Sequence, residues 1–212
     1  MIVCIIGALG NMGKRYCSIL KYLGHEVVEY DVNTDKSLGD CLKGVHRAIV
    51  ATPTGAHENF FSILLEREIP FLCEKPVSLN LGKLDWLQKE SSERKVPVSQ
   101  VCNWRYVRGG LKPNNHKVRY NYFKTGSDGM YTDCIQLLQL SQELGTRNYD
   151  VSIRTNSPVF DCEIDDQVVT LDDIDTSYLM MIEDFCSKPD ALWGVQEAKE
   201  GANRVASMKR TR

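Results

Sequence analysis

The first hundred residues alternate between short apolar runs and longer stretches whose apolar residues recur at three- and four-residue spacing. Strand-like runs fall at 2–6, 26–30, 48–51, 71–73 and 96–102, and helical stretches at 11–23, about 56–67 and about 81–94. Continuously apolar runs between amphipathic helices predict strands buried on both faces of a parallel sheet. Gly24 marks a helix stop ahead of the second strand. Short connections and right-handed crossovers then favour a doubly wound α/β order.

Beyond residue 104 the pattern changes. Residues 108–115, rich in glycine, proline and asparagine, read as a loop or linker. Residues 117–123 alternate as a half-exposed strand, and 130–144 carry apolar positions at helical spacing. Strands are predicted at 150–155, 159–164 and 167–171, the last two joined by a tight Asp165-Asp166 turn. Helices at 176–186 and 191–208 follow. Two domains are expected: 1–104, the doubly wound parallel sheet, and 105–212, a small α+β domain with an open antiparallel sheet. No internal repeat stands out.

At 212 residues the chain can hold one full α/β domain and a small second one. A net charge of −2 provides no field to attract nucleic acid or an anionic membrane. The apolar run 2–6 lacks a preceding basic segment and is too short for a signal sequence or a membrane span. The eight cysteines (4, 17, 41, 73, 102, 134, 162 and 186) are scattered without metal or redox spacing, mostly inside apolar runs. These features predict a cytoplasmic protein with a small-molecule partner, no metal site, and no nucleic-acid or membrane partner.

Candidate chemistry gathers where strands end. Gly7-Ala8-Leu9-Gly10-Asn11-Met12-Gly13 leads from the first strand into the first helix as a G-x-x-G-x-x-G variant of the dinucleotide turn. Gly10 would let backbone approach a phosphate, and Gly13 would let helix pack on strand. Asp31 ends the second strand about twenty residues on, where a carboxylate can accept from ribose hydroxyls. No arginine follows closely, which favours NAD over NADP. Thr52, Pro53 and Thr54 end the third strand as possible cofactor contacts, and His57 stands between that role and an ordinary helix-start residue. Glu74-Lys75-Pro76 ends the fourth strand, placing an amine able to donate to a substrate oxygen, in a turn fixed by proline. Asn103 and Arg105 follow the fifth.

Together these motifs resemble the Gfo/Idh/MocA family of oxidoreductases, over almost the whole chain. The Glu74-Lys75-Pro76 element is the most specific of them, and the ending from Tyr178 through Phe185 to residues 191–208 is also similar. The resemblance implies a Rossmann domain followed by an α/β domain with an open antiparallel sheet, with Lys75 contacting both nicotinamide and substrate. The family often carries an aspartate and, four residues on, an acid/base histidine. Here Asp133 matches the aspartate and Leu137 stands in the histidine's place, with Gln136 and Tyr131 nearby. Gln136 can hydrogen-bond a substrate but exchanges no proton near neutral pH. The second domain is also shorter than the family's.

The reading is an NAD(P)-dependent oxidoreductase moving a hydride to or from a hydroxyl-bearing carbon of a sugar or sugar derivative. Lys75 polarises the oxygen, with Asp133, Gln136 or Tyr131 beside it. The alternatives are a catalytically decayed cofactor-binding module, and an imine or amino-acid reductase on the same scaffold. A small sheet with one uncovered face, whose strand positions include Val118, Tyr120, Tyr122, Val168 and Val169, predicts a homodimer or larger homo-oligomer through the second domain.

Overall fold

A computed structural model of the chain describes residues 1–109, 118–121, 149–150 and 161–210. The chain divides into two compact units, 1–101 with 181–202 and 102–180 with 203–212.

In the first unit, β1 (Ile2–Ile6), β2 (Glu26–Tyr30), β3 (Arg47–Val50), β4 (Phe71–Cys73) and β5 (Val98–Gln100) form one sheet in the order β2-β1-β3-β4-β5. All four pairings are parallel. The apolar runs explain the arrangement: Val3 to Ile6, Ala48 to Val50 and Phe71 to Cys73 are fully buried, as a sheet covered on both faces requires. β2 is the exception. It lies at the sheet edge, half-buried, with glutamates at 26 and 29, and such charges discourage further strand pairing.

The helices are α1 (Asn11–Tyr22), α2 (Leu38–Cys41), α3 (Glu58–Glu66) and α4 (Leu81–Arg94). α3 packs Phe60, Phe61, Leu64 and Leu65 onto the sheet, with the Phe61 and Phe71 rings stacked at 5.7 Å. The far edge is closed by chain from beyond residue 180. Gln100 N donates to Trp193 O at 2.6 Å, Ser99 bridges Gly194, and Val195, Ala198 and Ala202 join the same core.

Several elements differ from the sequence expectation. The third strand starts one residue earlier and stops at Val50. The second predicted helix opens as a 3-10 turn over Thr54–Ala56 before α3. The fifth strand keeps only Val98–Gln100, and a 3-10 segment occupies Asn103–Gly109. α2 is new, capped by the Ser37 hydroxyl accepting from Asp40 N.

In the second unit, β6 (Val118–Asn121), β7 (Tyr149–Asp150), β8 (Asp161–Ile164) and β9 (Gln167–Val168) lie in the order β7-β6-β8-β9. The β6–β8 and β8–β9 pairings are antiparallel as expected, while β6–β7 is parallel. The β8–β9 hairpin turns at Asp165 and Asp166, both at positive φ, the backbone that suits the strand twist. α5 (Leu171–Ser187) begins five residues before the expected helix. Thr170 N donates to Asp173 Oδ2 and Asp173 N to Thr170 Oγ1, a reciprocal cap that also ends β9 early. α6 (Val195–Arg210) starts later than expected, after a 3-10 turn over Pro189–Ala191, with Gly194 N donating to Glu197. The predicted helix at 130–144, most of the strand at 150–155, and Tyr122, Tyr131, Asp133, Gln136 and Leu137 lie outside the described residues.

Candidate active site at the carboxyl ends of the strands

Because the five strands are parallel, their carboxyl ends share one edge of the sheet. The chain leaves β1 for β2 on one side and returns to β3 on the other, so the β1–β3 ends form the topological switch point where such sheets take ligands.

The turn after β1 is drawn tightly onto β3. Gly7 has φ +93°, and its N–H, with that of Ala8, donates to Tyr30 O. A Cβ at Gly7 would lie 2.9 Å from the Ala51 carbonyl and from Thr52 N, and one at Gly13 only 2.1 Å from Gly7 O. Gly10 differs, being exposed and roomier, with 3.4 Å to Gly7 O. It is the N-cap of α1 and offers no side chain to the first-turn N–H groups. Uncapped amides and the helix dipole suit an anion there. Leu9, Asn11 and Met12 complete the turn, with Leu9 about half exposed.

Asp31, nearly buried at the end of β2, is tied to that turn. Its Oδ2 accepts from Leu9 N at 3.2 Å and its Oδ1 from Asn33 N and Nδ2 at 3.1 and 2.9 Å. The two Asn33 bonds occupy Oδ1, while Oδ2, with one donor, keeps a lone pair for a further one.

After β3, the Thr52 hydroxyl oxygen is buried and has no hydrogen-bond partner among the described residues. Pro53 is exposed and Thr54 half-buried. His57 is fully buried and joins two loops: Nδ1 lies 3.1 Å from Pro76 O and 3.3 Å from Val77 O, and Nε2 lies 2.8 Å from Thr52 O. Both polar edges of its ring therefore face main-chain carbonyls.

After β4, the Glu74 carboxylate is buried. Oε1 accepts from the Tyr16 hydroxyl at 2.5 Å, Oε2 accepts from Lys75 N at 3.0 Å, and Glu74 N donates to Val50 O. Lys75 is half-buried and Pro76 buried. Below this turn Ser78 donates to the Glu58 carboxylate, and its oxygen accepts from Asn80 N at 2.9 Å. Sequence reasoning missed Tyr16. Its signal was a tyrosine on the buried stripe of α1 with Gly13, Cys17 and Leu20, because a buried hydroxyl needs a partner.

Burial pushes Cys4 up to about 12 and Cys17 and Cys186 up to about 11, and it raises Cys73 well above the usual range. No group of three His, Cys, Asp or Glu residues suited to a metal occurs among the described residues. A cavity of about 350 Å³ between α4 and residues 189–197 holds none of the sequence-predicted site residues.

In the second unit, Asn103 is buried and its Nδ2 donates to Ser177 Oγ at 3.2 Å, while Ser177 donates to Ile174 O. Arg105 is half-buried, with its N–H on Cys102 O.

Residues 23–101 match the family model GFO_IDH_MocA, described as an oxidoreductase family with an NAD-binding Rossmann fold. That span includes Asp31, Thr52, His57 and Lys75, and the glycine turn precedes it. A myo-inositol dehydrogenase, Hyg17 of Streptomyces leeuwenhoekii, is 28% identical over 115 residues, covering 46% of this chain and 35% of that protein. The match thus spans about a third of the curated relative's length. Among solved structures, a probable dehydrogenase from Thermotoga maritima superposes with a TM-score of 0.80 at 13% identity, covering 100% of this chain and 98% of that one. The WlbA (WbpB) dehydrogenase from Thermus thermophilus, in complex with NAD and UDP-GlcNAcA, gives 0.73 at 15% identity, with 100% and 95% covered. No described helix is long and apolar enough to cross a membrane. The sheet that carries this edge is thus similar, over residues 23–101, to the NAD-binding Rossmann domain of the Gfo/Idh/MocA oxidoreductases.

Proposed function

We propose that this chain is an NAD-dependent oxidoreductase that moves a hydride between nicotinamide and a hydroxyl-bearing carbon of a sugar or sugar derivative. The observation that carries the proposal is the pairing, on one sheet edge, of a glycine turn closed onto β3 with a Lys75 turn anchored by buried groups. The residues fit the cofactor: Gly10 leaves an uncapped helix start for phosphate, and Thr52 presents a buried hydroxyl oxygen with no partner among the described residues. Bound nicotinamide would supply the hydride acceptor or donor.

The chain's own residues do the rest. The amides at the start of α1 receive the pyrophosphate. Asp31 accepts from the ribose hydroxyls and disfavours a 2′-phosphate, so NAD is preferred over NADP. Lys75 donates to the substrate oxygen and handles its proton, with Asp133, Gln136 and Tyr131 as the further candidates for that role. The myo-inositol and UDP-sugar names among the relatives support a polyhydroxylated substrate. We place the protein in the cytoplasm, as a homodimer or larger homo-oligomer through the second domain. Light scattering at micromolar concentration checks the assembly, and a monomeric mass removes it.

Calorimetry with NAD(H) and NADP(H), followed by a sugar screen at the reduced-nicotinamide absorbance band, tests the proposal. Asp31→Ala should weaken NADH more than NADPH, and an unchanged preference removes the ribose assignment. No binding of either cofactor by folded protein overturns the whole reading. Leu137 in the place of the family's histidine favours one second reading, a decayed binding module. Cofactor binding with no turnover of any sugar, alcohol or imine would establish it.

A further inference from the structure

We infer that Tyr16 is a positioning residue for Lys75, acting through the Glu74 carboxylate; this rests on the reading of Lys75 as the residue that meets substrate. Tyr16 lies in α1, the helix that begins at the glycine turn, and its ring is fully buried. Its hydroxyl donates to Glu74 Oε1 at 2.5 Å across 58 residues of chain. The other carboxylate oxygen accepts from the main-chain N–H of Lys75 at 3.0 Å. One carboxylate therefore joins the helix that would receive the phosphates to the peptide that carries the amine.

The chemistry makes this joint stiff. A buried carboxylate is costly unless donors meet it, and hydrogen bonds to a charged acceptor are the short, strong ones. Glu74 N also donates to Val50 O, so β3 fixes the residue's backbone while Tyr16 fixes its side chain. Without the Tyr16 hydroxyl, Oε1 loses that donor. The carboxylate is then free to turn towards another, and the Lys75 N–H follows it. A reacting group displaced by about 1 Å loses on the order of a hundredfold in rate. The helix that orients the cofactor thereby also sets where the proton-handling amine stands.

The test reads Lys75 directly in the full chain. Reductive ¹³C-methylation labels the lysines, and loss of one signal in Lys75→Arg assigns that of Lys75. Tyr16→Phe keeps the buried ring and removes only the hydroxyl. In a variant with wild-type circular dichroism, the Lys75 signal should move or split. Glu74→Gln should move it too, and the double variant no further than the larger single change, because both break one relay. An unmoved signal in folded Tyr16→Phe overturns the inference; should that variant fail to fold, an unmoved signal in Glu74→Gln does so. In turnover, kcat should fall about ten- to a hundredfold while KM for NADH stays within a few-fold. The opposite split, a raised KM with kcat kept, also overturns it, since Tyr16 would then serve only the cofactor helix. A wild type that binds no NADH removes the cofactor reading but leaves the Lys75 signal to be read, so the two failures are distinguishable.

Discussion

The turn after β1 closes because side chains are missing: a Cβ at Gly7 or Gly13 would press into the backbone of Ala51 or of Gly7 itself. The turn after β4 is held by side chains that are present, with Tyr16 on Glu74 and His57 on Pro76, Val77 and Thr52. Both turns lie on the same sheet edge, yet they should fail differently. A steric turn has no soft mode, so an added methyl must move backbone. A clamped turn can lose a hydrogen bond, keep its path and shift by a fraction of an ångström. The first design suits a rigid cradle for phosphate. The second suits an amine that must be aimed.

The largest expected effect is at the aimed group. Lys75→Ala should lower kcat about a hundred- to ten-thousandfold, the usual cost of removing a positioned acid or base. NADH affinity should stay within a few-fold, because the proposed phosphate and ribose contacts lie at the start of α1 and at Asp31, after β2. Steady-state kinetics and calorimetry on one preparation check both halves. Intact turnover would take Lys75 out of the mechanism and leave the β4 turn as mere structure.

Next comes the steric turn. Gly13→Ala places a methyl 2.1 Å from Gly7 O, a distance that no rotamer change relieves. The expected loss is about 3 kcal/mol, the upper end of ordinary overpacking costs, read from urea denaturation. Wild-type stability would show that the turn yields easily and would erase the contrast with β4.

The clamp should cost less. His57→Phe keeps a buried ring and withdraws contacts to three main-chain carbonyls, on the order of 1–3 kcal/mol when a buried partner is left unmade. Thermal and urea unfolding measure it. A loss much below that range would make His57 a packing residue rather than a strap.

How far the sequence revealed each turn follows from the same physics. The glycine turn was legible because its constraint is local: Gly7, Gly10 and Gly13 lie within seven residues. Strands β1, β2 and β4 and helix α4 were read to their observed limits: β1 and β4 because buried parallel strands write apolar runs, β2 because Gly24 marks the helix stop just ahead of it, and α4 with a capping asparagine at its start. Lys75 was legible as a motif and its clamp was not, because Tyr16 and Glu74 lie 58 residues apart and meet only once α1 packs on the sheet. The start of α5 was hidden by its exposed Leu171 and acidic Asp172 and Asp173, and only the Thr170–Asp173 pair marked the cap. α2, at four residues, is too short to show a period.

The smallest effect separates the two uses of glycine within a single turn. Gly10 has φ −71° and ψ 165°, a backbone open to any residue, and a Cβ there would keep 3.4 Å from Gly7 O. Gly10→Ala should therefore cost no more than about 1 kcal/mol of stability, chiefly from a poorer N-cap. What it should lose is affinity. A methyl beside the uncapped amides stands where a phosphate would approach, and NADH binding should weaken about tenfold, equivalent to roughly 1.4 kcal/mol. Urea denaturation and calorimetry, run beside Gly13→Ala, separate the outcomes. If Gly10→Ala keeps both stability and affinity, no ligand comes close to that residue. If it loses as much stability as Gly13→Ala, the turn is a single steric unit, and packing alone accounts for all three glycines.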